Sequence, residues 1–114
     1  MAGPTERPVV AVCGGKDCAR TRRDEHRALL EILADVEVVP TACLDVCDGP
    51  VAVLDPTGEA PVVVERVRKG KHRRALVDVL AGRPARKPFR SRVITGKAAR
   101  TARKKAGKAL QRRR

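Results

Sequence analysis

The chain has no tryptophan and no tyrosine, and its single aromatic residue, Phe89, comes late. Its core must therefore be built from Val, Leu, Ile and Ala, which bury less area per residue than aromatic side chains. It lacks any apolar run long enough to span a bilayer. The start, Met-Ala-Gly-Pro-Thr-Glu-Arg-Pro, has no apolar h-region, and its acid and prolines are wrong for a secretory leader. Arg22-Arg23 does not read as a twin-arginine signal, because it lies inside the domain and precedes an amphipathic stretch. The expected location is the cytoplasm, where thiols stay reduced and paired cysteines point to metal or redox chemistry before structural bridges. No Gly-rich phosphate loop, Ser/His/Asp set or His/Glu metal motif occurs, which argues against an independent enzyme.

Acid is missing from one end altogether. Residues 83–114 carry 14 Lys/Arg and no Asp or Glu, whereas residues 1–82 carry 12 Lys/Arg and 13 Asp/Glu. The net charge of +13 thus belongs to the C-terminal stretch, and the remainder is close to neutral. A length of 114 residues bounds the chain to one globular domain. The expected division is a domain over 1–82 and a basic tail over 83–114, helical or disordered. A domain this small and poor in aromatics often depends on a metal or on disulfides. Four cysteines are present to supply either.

The pattern along the chain reads β-α-β-β-β-α. Pro8–Cys13 is a β-branched apolar run, broken by Gly14-Gly15-Lys16-Asp17. From about Thr21 to Asp35 the period turns helical, with Leu29, Ile32, Leu33 and Val36 on one face. Val36–Val39 reads as a strand stopped by Pro40. Val51–Leu54 and Pro61–Glu65 read as a hairpin around the turn Asp55-Pro-Thr-Gly58. Lys71–Ala81 reads as a second helix, with Leu76, Val79 and Leu80 on one face and Gly82 as its stop. Arg83–Pro88 reads as a linker. Lys97–Gln111 has high helix propensity but a weak apolar face. The expected fold is α/β, a small mixed four-stranded sheet with two helices packed on it, followed by the basic tail.

The cysteines are spaced Cys13-x4-Cys18, then 24 residues, then Cys43-x3-Cys47. Each pair follows an apolar strand and lies in a glycine-containing loop, so two loops at one sheet edge can bring four sulfurs together. Four thiolates complete a [2Fe–2S] cluster, two on each tetrahedral iron. Amide N–H groups of Gly14, Gly15 and Gly49 are candidate donors to sulfur. A tetrahedral zinc site is the main rival, but structural zinc favours Cys-x2-Cys, and neither pair has that spacing. A thioredoxin-type dithiol also wants Cys-x-x-Cys. The plant-type spacing and the Rieske Cys/His pattern are absent. Unrelated buried cysteines, or disulfides, are the background reading.

The strand ending at Cys13-x4-Cys18 before an amphipathic helix, and Thr41-Ala-Cys43-Leu-Asp-Val-Cys47-Asp-Gly-Pro50 before a valine-rich strand, resemble the thioredoxin-like [2Fe–2S] ferredoxins. They also resemble the related cluster-bearing subunit of respiratory NADH dehydrogenase and NAD-reducing hydrogenases. The likeness spans about residues 8–81. It implies a thioredoxin-like fold with Cys13, Cys18, Cys43 and Cys47 as ligands of a one-electron centre near the surface. It further implies a redox partner protein, a reductase or dehydrogenase, and a homodimer as a common state of stand-alone members. The Cys-x4-Cys spacing is closer to the dehydrogenase subunits, and the basic tail has no counterpart in the family pattern.

His26 and His72 each fall among charges on a helix and read as solvated surface residues. Asp17, Asp45 and Asp48 flank the cysteines and read as turn formers rather than general bases. The expected function is a one-electron carrier, free or as an accessory subunit of an oxidoreductase. The alternative is a nucleic-acid-associated or regulatory protein whose four cysteines form a structural zinc site or a redox sensor. For the tail, an acidic protein, nucleic acid and an anionic membrane surface are the competing partners, beside a purely solubilising role.

Overall fold

The computed structural model describes residues 9–14, 23–34, 36–41, 44, 49–56 and 61–113, without the side chains of 111–113. β1 (Val9–Cys13) pairs in parallel with β2 (Glu37–Thr41), and α1 (Arg23–Ile32) makes the crossover. β3 (Ala52–Leu54) runs antiparallel to β1, and β4 (Val62–Val64) antiparallel to β3. After α2 (Gly70–Leu80) and a single helical turn, α3 (Lys87–Arg90), β5 (Val93–Ile94) adds antiparallel to β4. α4 (Gly96–Arg113) closes the chain. The sheet order is β2-β1-β3-β4-β5. Five strands and four helices thus stand among the described residues, where the sequence led to an expectation of four and two.

Alternation along β1 sets up the two faces, since successive strand side chains point to opposite sides. Val10 and Val12 join Leu29 and Leu33 beside α1, Ala75 and Leu76 of α2, and Phe89 of α3. Ala11 and Cys13 face the other way, with Leu44, Val51, Val53 and Val63 beneath Ala99, Ala102 and Ala106 of α4. The sheet is therefore a middle layer between helices. Residues 83–114 do more than trail from it. Among the described residues they supply the fifth strand and the helix that covers one face of the sheet.

Two local readings change. β2 runs through Pro40 to Thr41 rather than stopping before it. Among the described strands β2 is an edge, and edge strands are where sheets accommodate proline. Ile32, expected on the buried face of α1, is 37% exposed, while Leu29 and Leu33 are buried. The stretch expected as a linker is instead tied down. Gly82 takes φ +87°, its N–H bonds the Val79 carbonyl and the Arg83 N–H bonds the Asp78 carbonyl, a Schellman end to α2. The Asp78 carboxylate accepts from Arg83 at 2.7 Å and also from Arg86. Those guanidinium groups, the hydrogen bond from Arg83 above all, hold Asp78 below the usual carboxylate range.

His72 is not a solvated surface residue; it is 3% exposed. It lies on the core side of α2 because it is three and four residues before Ala75 and Leu76, which share one face of a helix. Its Nδ1 lies 3.2 Å from the Lys69 amide in the first turn of α2 and its Nε2 lies 3.1 Å from Arg92 Nε, both of them donors, so the neutral ring accepts from one at a time. A neutral imidazole has one acceptor nitrogen and a protonated one has none. Protonation therefore breaks this arrangement outright. Burial, and then the charges of Arg92, Lys71, Lys69 and Arg73, push its pKa below 6.5. The sign follows: the unfolded chain takes up this proton first, so the His72 contribution is complete above pH 6.5 and is lost as pH falls from 6.5 toward the lower folded value. Urea midpoints of the full chain are expected to drop over that window, and His72→Gln, which keeps an acceptor and does not titrate, is expected to flatten the drop. A variant profile as steep as that of the parent chain would assign the effect elsewhere.

Candidate metal centre

Cys13 is the last residue of β1 and is fully buried on the α4 side of the sheet. Cys18, Cys43 and Cys47 lie outside the described residues, as do Gly15, Asp17, Asp45 and Asp48. Among the described residues no three His, Cys, Asp or Glu side chains are placed to hold a metal ion together. The described residues do fix the frame from which the other cysteines depart.

In the parallel ladder Cys13 stands opposite Thr41. The next amide, Gly14 N–H, donates to the Thr41 carbonyl at 2.8 Å. This corrects the expectation that Gly14 offers its N–H to sulfur, since the sheet already uses it. Glycine is required here by close approach, because a Cβ on residue 14 would sit 2.8 Å from the same Thr41 oxygen. On its other side Cys13 N–H donates to the Val51 carbonyl at 3.0 Å. The segment 42–50 thus leaves the sheet at Thr41 and rejoins it at Val51, both beside Cys13.

Two further anchors bear on that segment. Leu44 is fully buried in the same apolar cluster as Cys13. Covalent geometry alone holds the Cα of Cys43 about 3.8 Å from that of Leu44, and the Cα of Cys47 within roughly 7 Å of that of Gly49. The Gly49–Pro50 peptide is cis. The Gly49 carbonyl accepts from Arg68 Nε at 3.1 Å, and the Pro50 carbonyl accepts from Val67 N–H at 3.2 Å. Arg73 Nη1 donates to the Arg68 carbonyl at 2.9 Å, which links this brace to α2. A guanidinium is therefore bonded to the backbone two residues past Cys47. Cys18, five residues beyond Cys13, has the longest tether, up to about 18 Å.

His26, like His72, is a residue that reading by charge misplaced. It is half-buried on α1, with Nε2 3.2 Å from the Cys13 carbonyl. A carbonyl only accepts, so Nε2 carries the proton and donates. The signal was in the sequence: His26 precedes Leu29 and Leu33 by three and seven residues, which places it on the buried face. The contact pins α1 to the end of β1, at the point where the first cysteine loop departs.

No protein-family model matches this chain, and a search of the curated proteins returned no match.

Proposed function

We propose that the protein is a one-electron carrier that holds a [2Fe–2S] cluster through Cys13, Cys18, Cys43 and Cys47. The observation that carries the reading is the double attachment of segment 42–50 at Cys13, through Gly14 N–H to Thr41 and Cys13 N–H to Val51. A nine-residue excursion with both ends beside one cysteine allows its own two cysteines to come within reach of that sulfur. The donor set fits: four thiolates satisfy two tetrahedral irons bridged by two sulfides. The parallel β1–β2 pair, the antiparallel β3 and β4, and the closing α2 support a thioredoxin-like core beneath the site.

When bound, such a cluster supplies a one-electron couple whose potential depends on net charge, hydrogen bonds and exposure. The chain's own residues act on those levers. α4 and Leu44 bury Cys13 and keep water from that side. Arg68, bonded to Gly49, sets a fixed positive charge beside the second cysteine bend, where it favours the more negative, reduced state.

Anaerobic purification followed by iron and acid-labile sulfide assays tests the reading. About two irons and two sulfides per chain are expected, and serine at any of the four cysteine positions is expected to lower both together. A sulfide-free protein that takes up zinc and resists reconstitution would overturn the assignment in favour of a structural zinc site built on the same four thiolates.

A further inference from the structure

Docking of α4 on the sheet decides which of its side chains meet solvent. Ala99, Ala102, Ala106 and Leu110 are buried at 0–2% exposure. On the opposite side, Lys97, Arg100, Lys104 and Lys108 are exposed and fall within about 80° of arc at 100° per residue. Arg100, Lys104 and Lys108 stand one turn apart, at steps of about 6 Å along the axis. None of these four has an ion-pair partner among the described residues. No acid interrupts the sequence from residue 83 to the end.

Three partner chemistries compete for such a ridge, and the packing separates them. A helix that lies in a membrane interface needs a free apolar face. The apolar face of α4 is spent on the sheet. A protein partner needs an apolar centre to the interface, where lysine is depleted. The exposed residues here are cations, Gly96 and Ala98. Nucleic-acid interfaces are polar, strongly cationic and dominated by phosphate contacts. Single strands are gripped by aromatic stacking, but the only aromatic, Phe89, is buried. That leaves a duplex. The B-form major groove, about 12 Å wide, accepts an α-helix, whereas the A-form groove is too narrow to admit side chains.

We propose that the exposed Lys97–Lys108 ridge of α4 binds the phosphate backbone of double-stranded DNA without sequence preference. The surface is independent of the cluster reading, since it uses neither cysteine loop.

The test is fluorescence anisotropy of the full chain with a labelled mixed-sequence duplex over a range of salt. Four phosphate contacts predict a log–log slope of about −3.6, which is about 150-fold weaker binding from roughly 50 to 200 mM salt. Arg100→Gln/Lys104→Gln/Lys108→Gln is expected to reduce that loss to about threefold. Arg23→Gln/Arg27→Gln/Arg74→Gln removes the same charge from exposed positions on α1 and α2, across the sheet, and is expected to leave the slope in place. Equal effects from the two triples would reduce the binding to diffuse charge and overturn the proposal. So would equal or tighter binding of duplex RNA, or competition by polyglutamate as effective as that by unlabelled DNA. A slope weaker than about −2 for the unmodified chain sinks it without any variant. Iron and sulfide counted on the same preparation keep failure here distinct from failure of the cluster assignment.

Discussion

A chain ending at Gly82 is expected to lose cooperative unfolding, despite keeping all four cysteines and the first four strands. The truncation removes β5 and α4 and uncovers Ala11, Leu44, Val51, Val53 and Val63 on one face of the sheet. Four large aliphatic side chains, at roughly 2 kcal/mol each, put the loss on the order of 8 kcal/mol. That is an upper figure, because denatured chains already bury part of this surface. It still matches the whole stability of a typical small domain, about 5–15 kcal/mol. The newly bare face also invites self-association. Far-UV circular dichroism through a urea titration measures the outcome. A cooperative transition at the midpoint of the full chain would show that residues 1–82 fold alone and that α4 is an accessory.

Gly14→Ala is expected to destabilise the chain and empty the site, although glycine-to-alanine changes often stabilise. The general gain, from a less free unfolded chain, is about 0.4–1 kcal/mol. Against it stands a methyl carbon placed 2.8 Å from the backbone oxygen of Thr41, which cannot swing aside as a flexible side chain would. Overpacking of this kind costs about 1–3 kcal/mol, and parting the strands forfeits the Gly14–Thr41 hydrogen bond, about 1 kcal/mol more. The clash wins. Separation of β1 from β2 at this end also moves Cys13 away from the start of segment 42–50, so iron and sulfide content is expected to fall with stability. Gly107→Ala provides the contrast. Its added carbon would lie 3.9 Å from the Pro56 oxygen, an ordinary contact, and the helix gains about 1 kcal/mol of propensity. Urea midpoints that shift in the same direction for both variants would refute the steric argument.

The parts of the fold legible in the sequence are those written in large aliphatic residues. Leu29 on α1 and Leu33 just past its end, Leu76 on α2, and the valine runs of β1, β3 and β4 each state their element and buried face plainly. The C-terminal layer is written in alanine. Ala99, Ala102 and Ala106 form a narrow stripe whose apolar signal is weak beside nine Lys/Arg between 97 and 114. A small side chain is what lets a helix seat closely on a sheet, so the property that makes α4 pack is the one that hides it. β5 is two residues long, below what periodicity resolves, and only its pairing with Val63 and Val64 reveals it. The cysteine spacing gave the candidate ligands. What spacing could not supply was the bracing: the bonds from Arg68 to Gly49 and from His26 to Cys13 join residues distant in the chain through backbone carbonyls, which no side-chain pattern encodes.

Phe89 is 6% exposed in the cluster formed with α1 and α2, and the chain contains no other ring beyond its two imidazoles and its prolines. A molecule so constructed is almost transparent in the near ultraviolet and has no indole or phenol to fluoresce. Any colour seen in solution must come from a bound group, with almost no protein background to subtract.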